Sequence, residues 1–312
     1  MPRSVLLLVN RTKPDVVAGL ADIRDTISGR GGGRIVAELD AESTPLPADF
    51  ARKADLVVVL GGDGTLMAQA RRCVAAGLDL PLLGVNLGKL GFMAEFDPSS
   101  LRACAAGLFG GSPLTVQDRP MLRAVVRREG IPPAPIARTI ALNDAVVTAG
   151  PPYRMITLAI RIDGHAGPIV TGDGLIVSTP IGSTAYSASA GGPIVSPDVA
   201  ALSLTAIAPH TLSFRPVVVG LNSVIELDVL RANDGSEPSQ GALSELLDGS
   251  LGGGGTALVL DGQVPTILRT GDTVIIRRHE RPARFVRNPA GNYWATLLNK
   301  MKWASPPAVR SR

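Results

Sequence analysis

The sequence predicts an N-terminal α/β domain followed by an all-β sandwich and a C-terminal amphipathic helix. Three observations carry that reading. At 312 residues the chain is long enough for two domains of about 150 residues and for burial of most of its apolar surface. Its first third alternates short, unbroken aliphatic runs with helical stretches, the pattern of strands covered by helices on both faces of a parallel sheet. After Asp118 the texture changes to alternating residues and turn pairs with hardly a helix between them, which suits an antiparallel sandwich.

In chain order, Val5–Val9, Ile35–Leu39, Leu56–Leu60 and Leu82–Val85 read as buried strands. Asp15–Ser28 and Thr65–Ala76 read as helices between them, a βα layout of the nucleotide-binding kind. The domain boundary is expected near residues 112–118, in the Gly110–Pro113 turn. Strands are then expected at Met121–Arg128, Thr139–Val147, Thr157–Asp163, Val217–Gly220, Val224–Val229, Ala257–Leu260 and Thr273–Arg277, with a Pro-rich turn at Ile131–Pro135. Residues 232–256 are polar and Gly-rich and lack a strand-to-helix context, so they read as a flexible hairpin insertion and not as a phosphate loop. Near the end, Phe285, Tyr293, Trp294 and Trp303 fall among Leu297, Leu298 and Met301 at helical spacing, with an apolar face for packing and a basic face for water. The tail after Ala304 is expected to fray. The division that follows is 1–115, 116–284 and 285–312.

Composition narrows the class. With Gly 35, Pro 25, 4% aromatic and 45% hydrophobic residues, the chain is turn-rich and aliphatic-cored, like a globular enzyme. Val5–Val9 is too short for a signal-peptide core, and no run approaches the roughly 18 apolar residues of a membrane span. Cys73 and Cys104 have no CxxC or Cys/His spacing, so neither a disulfide framework nor a zinc site is expected. A cytoplasmic protein without a membrane partner is the expectation. The net charge of +4 hides an asymmetry, because residues 269–312 hold ten Lys/Arg against Asp272 and Glu280. A nucleic-acid partner is not expected there, since the interleaved aromatics belong to the helical apolar pattern.

The sharpest local signal is ADLVVVLGGDGTLMAQA at 54–70, a buried strand that ends in Gly61, Gly62, Asp63, Gly64 and Thr65 before an aliphatic helix. Glycines let the backbone approach a ligand, and amides at a helix start favour phosphate oxygens. It is neither a Walker A loop nor a GxGxxG fingerprint. A second loop, in PLLGVNLGKLGFMAEF at 81–96, follows a second strand and would open on the same carboxyl edge of a parallel sheet. TGDGLIVSTPIGSTAYSASAGGPIVSP at 171–197 supplies Asp173, a short strand, and hydroxyls around Tyr186.

These pieces, with ALND at 141–144, APHTLSFRP at 208–216, DGQ at 261–263 and the closing aromatic–basic helix, resemble the NAD kinases over nearly the whole chain. GGDGT alone also occurs in lipid kinases and phosphofructokinases, whereas GSTAYSASAGGP beside ALND is specific. The resemblance implies transfer of the γ-phosphate of ATP, or in some members polyphosphate, to the 2′-hydroxyl of the adenosine ribose of NAD, giving NADP. It implies that the α/β domain donates GGDGT, the sandwich donates the NAD pocket and the C-terminal segment returns to the first domain. Association through the sandwich into homodimers or homotetramers is implied as well.

By the same resemblance Asp63 stands at the reacting hydroxyl, and Phe92, Asn143, Asp144, Asp173, Thr184, Ala185, Tyr186 and Ser189 surround NAD. Because phosphoryl transfer is mostly alignment and charge neutralisation, Asp63 is expected to orient the hydroxyl and take its proton late. Amides of Gly61, Gly62, Gly64 and Thr65, with Mg²⁺ carried on the donor and no metal ligands from the protein, would meet the phosphates. Lys89 and Arg119 are candidates for further positive charge. Two departures stand out. Most relatives carry Glu where this chain has Asp144, which sets the carboxylate about 1.5 Å further back. The insertion at 232–256 is the second, with consequences expected for access or the subunit interface. Some relatives that prefer oxidised NAD carry an Arg two residues ahead of the Asp of GDG, whereas others that also accept NADH carry a small residue; this chain has Thr171, so both NAD and NADH are expected as acceptors. Two rivals remain in view. A lipid or sphingoid-base kinase would need an apolar acceptor groove where 171–197 is small and polar, and a non-catalytic NAD sensor would have little need of Asp63.

Overall fold

The valines and leucines of β1 (Ser4–Val9) and β3 (Leu56–Leu60) have no solvent exposure, as strands covered by helices on both faces require. The computed structural model describes residues 1–42, 46, 49–88, 91–128, 140–233, 255–263 and 266–301. The chain divides into two units, Met1–Asp118 with Ala283–Arg312, and Arg119–Pro282. In the first, β1 leads to α1 (Pro14–Asp25), β2 (Arg34–Asp40), α2 (Phe50–Lys53), β3, α3 (Asp63–Ala75), β4 (Leu82–Val85), α4 (Pro98–Phe109) and β5 (Val116–Arg119). β1 pairs in parallel with β2 and β3, and β3 pairs in parallel with β4. The carboxyl ends of β1, β3 and β4 therefore share one edge, where open α/β sheets bind ligands.

The second unit is a sandwich of two six-stranded sheets. Its strands are β6 (Leu122–Arg127), β7 (Ile140–Ala141), β8 (Asp144–Thr148), β9 (Ile156–Ile162), β10 (His165–Gly172), β11 (Gly174–Ser178), β12 (Ala201–Ile207), β13 (Val217–Gly220), β14 (Ile225–Arg231), β15 (Ala257–Leu260), β16 (Thr266–Ile267) and β17 (Thr273–Arg278), with α5 (Tyr186–Ser189) after β11. One sheet runs β10-β9-β14-β17-β6-β7 and the other β13-β12-β11-β8-β15-β16. Alternation places Ile156, Leu158 and Ile160 of β9 in one core with Val147 of β8 and Leu175 and Val177 of β11. The strand expected at Thr139–Val147 is divided in its described part: Ile140–Ala141 pairs with β6, whereas Asp144–Thr148 lies between β11 and β15. The chain changes sheet at Leu142–Asn143, and that turn belongs to the candidate site.

The chain then returns to the first unit as β18 (Ala283–Val286) and α6 (Tyr293–Met301), completing the sheet order β2-β1-β3-β4-β18-β5. Asn288 donates its N–H to Glu95 Oε2 and its Nδ2 to Glu95 O, both at 2.9 Å, fixing the approach to α6. Leu297 is fully buried, but Trp294 and Leu298 are about half exposed, so the packed face of α6 is narrower than the spacing suggested. Trp303, the tail after Ala304, the Pro-rich turn and most of the 232–256 insertion lie outside the described residues. At the base of that insertion Asn233 and Thr256 are buried and joined by two hydrogen bonds, at 2.7 and 2.9 Å. Cys73 is buried and Cys104 partly so, both as free thiols.

Candidate active site

In the first unit β3 ends at Leu60, Gly62 caps α3, and Asp63 is the first residue of the helix. The half-buried Asp63 carboxylate accepts three consecutive amides from the loop after β4. Phe92 N–H reaches Oδ2 at 2.7 Å, and Met93 and Ala94 N–H reach Oδ1 at 3.1 and 3.0 Å. Gly91 makes that seat possible, because nothing larger fits beside the carboxylate. The GGDGT loop and the 84–92 stretch are thus locked through one acid. Thr65 is buried, and its Oγ1 accepts from Asn10 Nδ2 at 2.9 Å, tying the exit of β1 to the first turn of α3.

That tie brings in a residue that sequence reasoning passed over. Lys13 lies on the Asn10–Lys13 loop, and its Nζ sits 3.4 Å from where a Cβ on Gly62 would stand. It forms no ion pair among the described residues. The available signal was its place just past a strand end on the ligand edge of a parallel sheet. Gly61 needs a correction: its amide donates to Val85 O at 3.0 Å and is not available to a phosphate. Gly62, Gly64 and Thr65 remain on the open first turn, and Gly64 is exposed. Phe92 is half-buried, with the Tyr293 ring 6.4 Å away centroid to centroid and Lys300 Nζ 5.3 Å from its ring centre.

In the second unit the Leu142–Asp144 turn and the turn after β11 dock on each other. Thr179 N–H donates to Asn143 O at 2.8 Å and Thr179 Oγ1 to Leu142 O at 2.6 Å. A Cβ on Gly182 would lie 2.1 Å from Asn143 O, so only glycine permits this approach. Asn143 and Asp144 are thereby brought beside the turn that carries Thr184, Ala185, the exposed Tyr186 and the exposed Ser189. Asn143 Oδ1 is buried without a hydrogen-bond partner among the described residues. Asp144 is 4% exposed, and burial, with the like charge of Asp261 added, pushes its carboxyl up to about 7.

Asp261, of DGQ, is a second residue to which the sequence reading gave no role. Its carboxylate accepts the amides of Leu142, Asn143 and Asp144 at 2.8, 2.7 and 3.1 Å. Asp173 is not brought to this group. It is exposed at the start of β11, whereas Asp144 pairs with Ser178 at the other end, roughly 17 Å of strand away. Thr171, beside it, shares a hydrogen bond with Thr157, oxygen to oxygen 3.1 Å. Arg119 is already engaged, since its Nη1 donates to Pro197 O at 2.9 Å and to Asp198 Oδ1 at 3.3 Å, which removes it as a candidate for extra positive charge. Lys89 lies outside the described residues. No cluster of three or more His, Cys, Asp or Glu that could hold a metal occurs among the described residues, and none of their helices is long and apolar enough to cross a membrane.

Comparison with known proteins identifies the family that carries both groups of residues. Residues 27–112 match the ATP-NAD kinase N-terminal domain and residues 142–242 the ATP-NAD kinase C-terminal domain. An NAD kinase of Desulforamulus reducens is 36% identical over 305 residues, covering 95% of this chain and 96% of the relative. One of Ralstonia nicotianae is 33% identical over 318 residues, covering 99% and 96%. Among solved structures, an NAD kinase from Archaeoglobus fulgidus in complex with ATP superposes with a TM-score of 0.68 at 25% identity, covering 96% of this chain and 98% of that one. A yeast NADH kinase complexed with NADH shares the fold, with a TM-score of 0.76 at 24% identity over 100% of this chain and 91% of that one. With identity of this order sustained along almost its full length and both family domains in place, the chain belongs to the NAD kinase family.

Proposed function

We propose that Asp63 is the catalytic carboxylate of this NAD kinase, a phosphotransferase that moves the γ-phosphate of ATP to the 2′-hydroxyl of the adenosine ribose of NAD and makes NADP. The seating of Asp63 carries the assignment. A carboxylate offers about four lone-pair positions, and the three amides take three of them, leaving one on Oδ2 for the acceptor hydroxyl. An acid held this way aligns the hydroxyl at little entropic cost and accepts its proton as the phosphoryl group arrives.

On the donor side, the amides of Gly62, Gly64 and Thr65 and the Lys13 ammonium face the phosphates, and Lys13 supplies the charge that a Walker A lysine would give. Mg²⁺ arrives with the nucleotide as Mg·ATP. ATP is favoured over polyphosphate by the Archaeoglobus fulgidus relative, whose structure holds ATP. On the acceptor side, Phe92, Asn143, Asp144, Thr184, Ala185, Tyr186 and Ser189 remain the proposed NAD contacts, and Asp173, at the opposite end of β11 from Asp144, is proposed only for the far end of the extended dinucleotide. Asn143 is half-buried on the turn that docks against Thr179 and Gly182, beside Thr184–Tyr186, which supports its place among them. A cytoplasmic homodimer or homotetramer, without nucleic-acid or membrane partners, completes the proposal and rests on the family resemblance and the composition.

The test is to incubate the purified protein with NAD, ATP and Mg²⁺ and assay NADP enzymatically, with polyphosphate replacing ATP in a parallel arm. NADP formation with ATP supports the reading, and formation with polyphosphate alone corrects the donor. Absence of NADP in both arms, with phosphate transferred to a sphingoid base or diacylglycerol, would establish the lipid-kinase alternative, which the polar 171–197 stretch disfavours.

A further inference from the structure

We propose that Asp261 is the positioning residue of the acceptor side: its carboxylate clamps the Leu142–Asp144 turn and so sets where Asn143 and Asp144 present their side chains. The inference rests on the reading that these two residues bind NAD. Leu142 N–H donates to Oδ2 at 2.8 Å, and Asn143 and Asp144 N–H donate to Oδ1 at 2.7 and 3.1 Å. The Asp261 N–H returns to Asp144 O at 3.0 Å, so the two segments hold each other.

The turn needs such a partner. Where the chain changes sheet, the three amides of residues 142–144 would otherwise be withdrawn from water without an acceptor, a costly state for backbone donors. The carbonyls of Leu142 and Asn143 are met from the opposite side by Thr179. An ionised carboxylate is the side-chain group that presents two acceptor oxygens and no donor, whereas an amide would turn an N–H₂ against a backbone N–H. Asp261 itself sits at φ 48°, a conformation rare for side-chain-bearing residues and held here by the clamp.

The clamp also places a negative charge beside the buried Asp144. Its neighbour across β11 is the neutral Ser178, and β15 presents Leu258 and Leu260. Arg123 of β6 is turned onto Glu280 at 3.0 Å. Among the described residues packed against Asp144, Asp261 is thus the charge that opposes its ionisation.

Steady-state kinetics of Asp261→Asn test the proposal. The KM for NAD should rise at least about tenfold while that for ATP stays within about twofold. With the neighbouring charge gone, the limb that Asp144 contributes to kcat/KM for NAD should move to lower pH, and this shift should vanish in the Asp261→Asn, Asp144→Asn double variant. A purely structural role would not move that limb. An unchanged KM for NAD in Asp261→Asn, when Asn143→Ala and Asp144→Asn each raise it, overturns the clamp. If those two single variants leave it unchanged, the underlying reading fails and the inference falls with it. Should Asp261→Asn not fold, hydrogen exchange in the wild type decides: amides of 142–144 protected by at least about a hundredfold support the clamp, and free exchange overturns it.

Discussion

A Cβ on Gly91 would lie 1.8 Å from Oδ1 of Asp63 and 2.5 Å from its Cγ, far inside any non-bonded contact. Asp63 can yield only by giving up the amides of Phe92, Met93 and Ala94. Gly91→Ala should therefore lower kcat by at least about a hundredfold with the fold intact by circular dichroism, since the loss is one of aligned charge. Near-normal turnover would show that the carboxylate does not need this seat.

Asp63→Asn keeps the volume but replaces one acceptor oxygen by a donor. We expect kcat to fall at least about a hundredfold with little change in NAD affinity, read by steady-state kinetics and a binding isotherm. Retained turnover would remove Asp63 from the chemistry.

Lys13→Met should raise the KM for ATP or lower kcat/KM for ATP by about ten- to a hundredfold, with Lys13→Arg recovering part of it, because a charge on phosphate contributes a few kcal/mol. The KM for NAD serves as the internal control. An equal loss for both substrates would place the fault in folding instead.

Asp144 carries a stability signature. Its folded-state carboxyl lies at about 7 against an ordinary 3.8, so between those values the folded chain holds a proton that the unfolded chain releases. Stability from this group is therefore greatest at low pH and falls as pH rises through the window. In Asp144→Asn the loss of unfolding free energy between pH 5 and pH 8 should shrink by on the order of a few kcal/mol, measured by urea titration. Parallel pH dependences for the two proteins would contradict the burial of an ionisable group there.

Thr171 offers a compact, neutral hydroxyl, paired with Thr157, and no long side chain with which to discriminate between the two nicotinamides. We expect kcat/KM values for NAD and NADH within about tenfold, a difference of about 1.4 kcal/mol or less. Parallel assays at one Mg·ATP concentration check this, and a preference for NAD beyond roughly a hundredfold would defeat the argument.

The aliphatic runs of β1, β3 and β4 were legible because both faces are buried and no polar residue interrupts them. β10 was not anticipated: HAGPIVTG holds two glycines and a proline, and its first five residues are exposed, so no alternation marks it. β12 hid for the opposite reason, since Ser203 and Thr205 break an apolar run yet are buried, Thr205 being paired with Ser187 at 3.2 Å. At the site, GGDGT and the 171–197 stretch could be found because glycine and hydroxyl residues are locally conspicuous. What holds them in place could not. The partners of Asp63 lie 29 to 31 residues away and those of Asp261 lie 117 to 119 away, distances at which periodicity carries no information.

The place of β18 between β4 and β5 bears on how the protein is made. During synthesis all of β6–β17 leaves the ribosome before the strand that completes the first sheet, so the contiguous sandwich can close while the α/β unit is still waiting. Until β18 arrives, the outer side of β4 is an open edge of hydrophobic strand, the kind of surface that templates pairing with another nascent chain. The interval between Val85 and Ala283 is thus a period of exposure for that edge, and the segment from Ala283 onward acts as the closing stitch of the first domain.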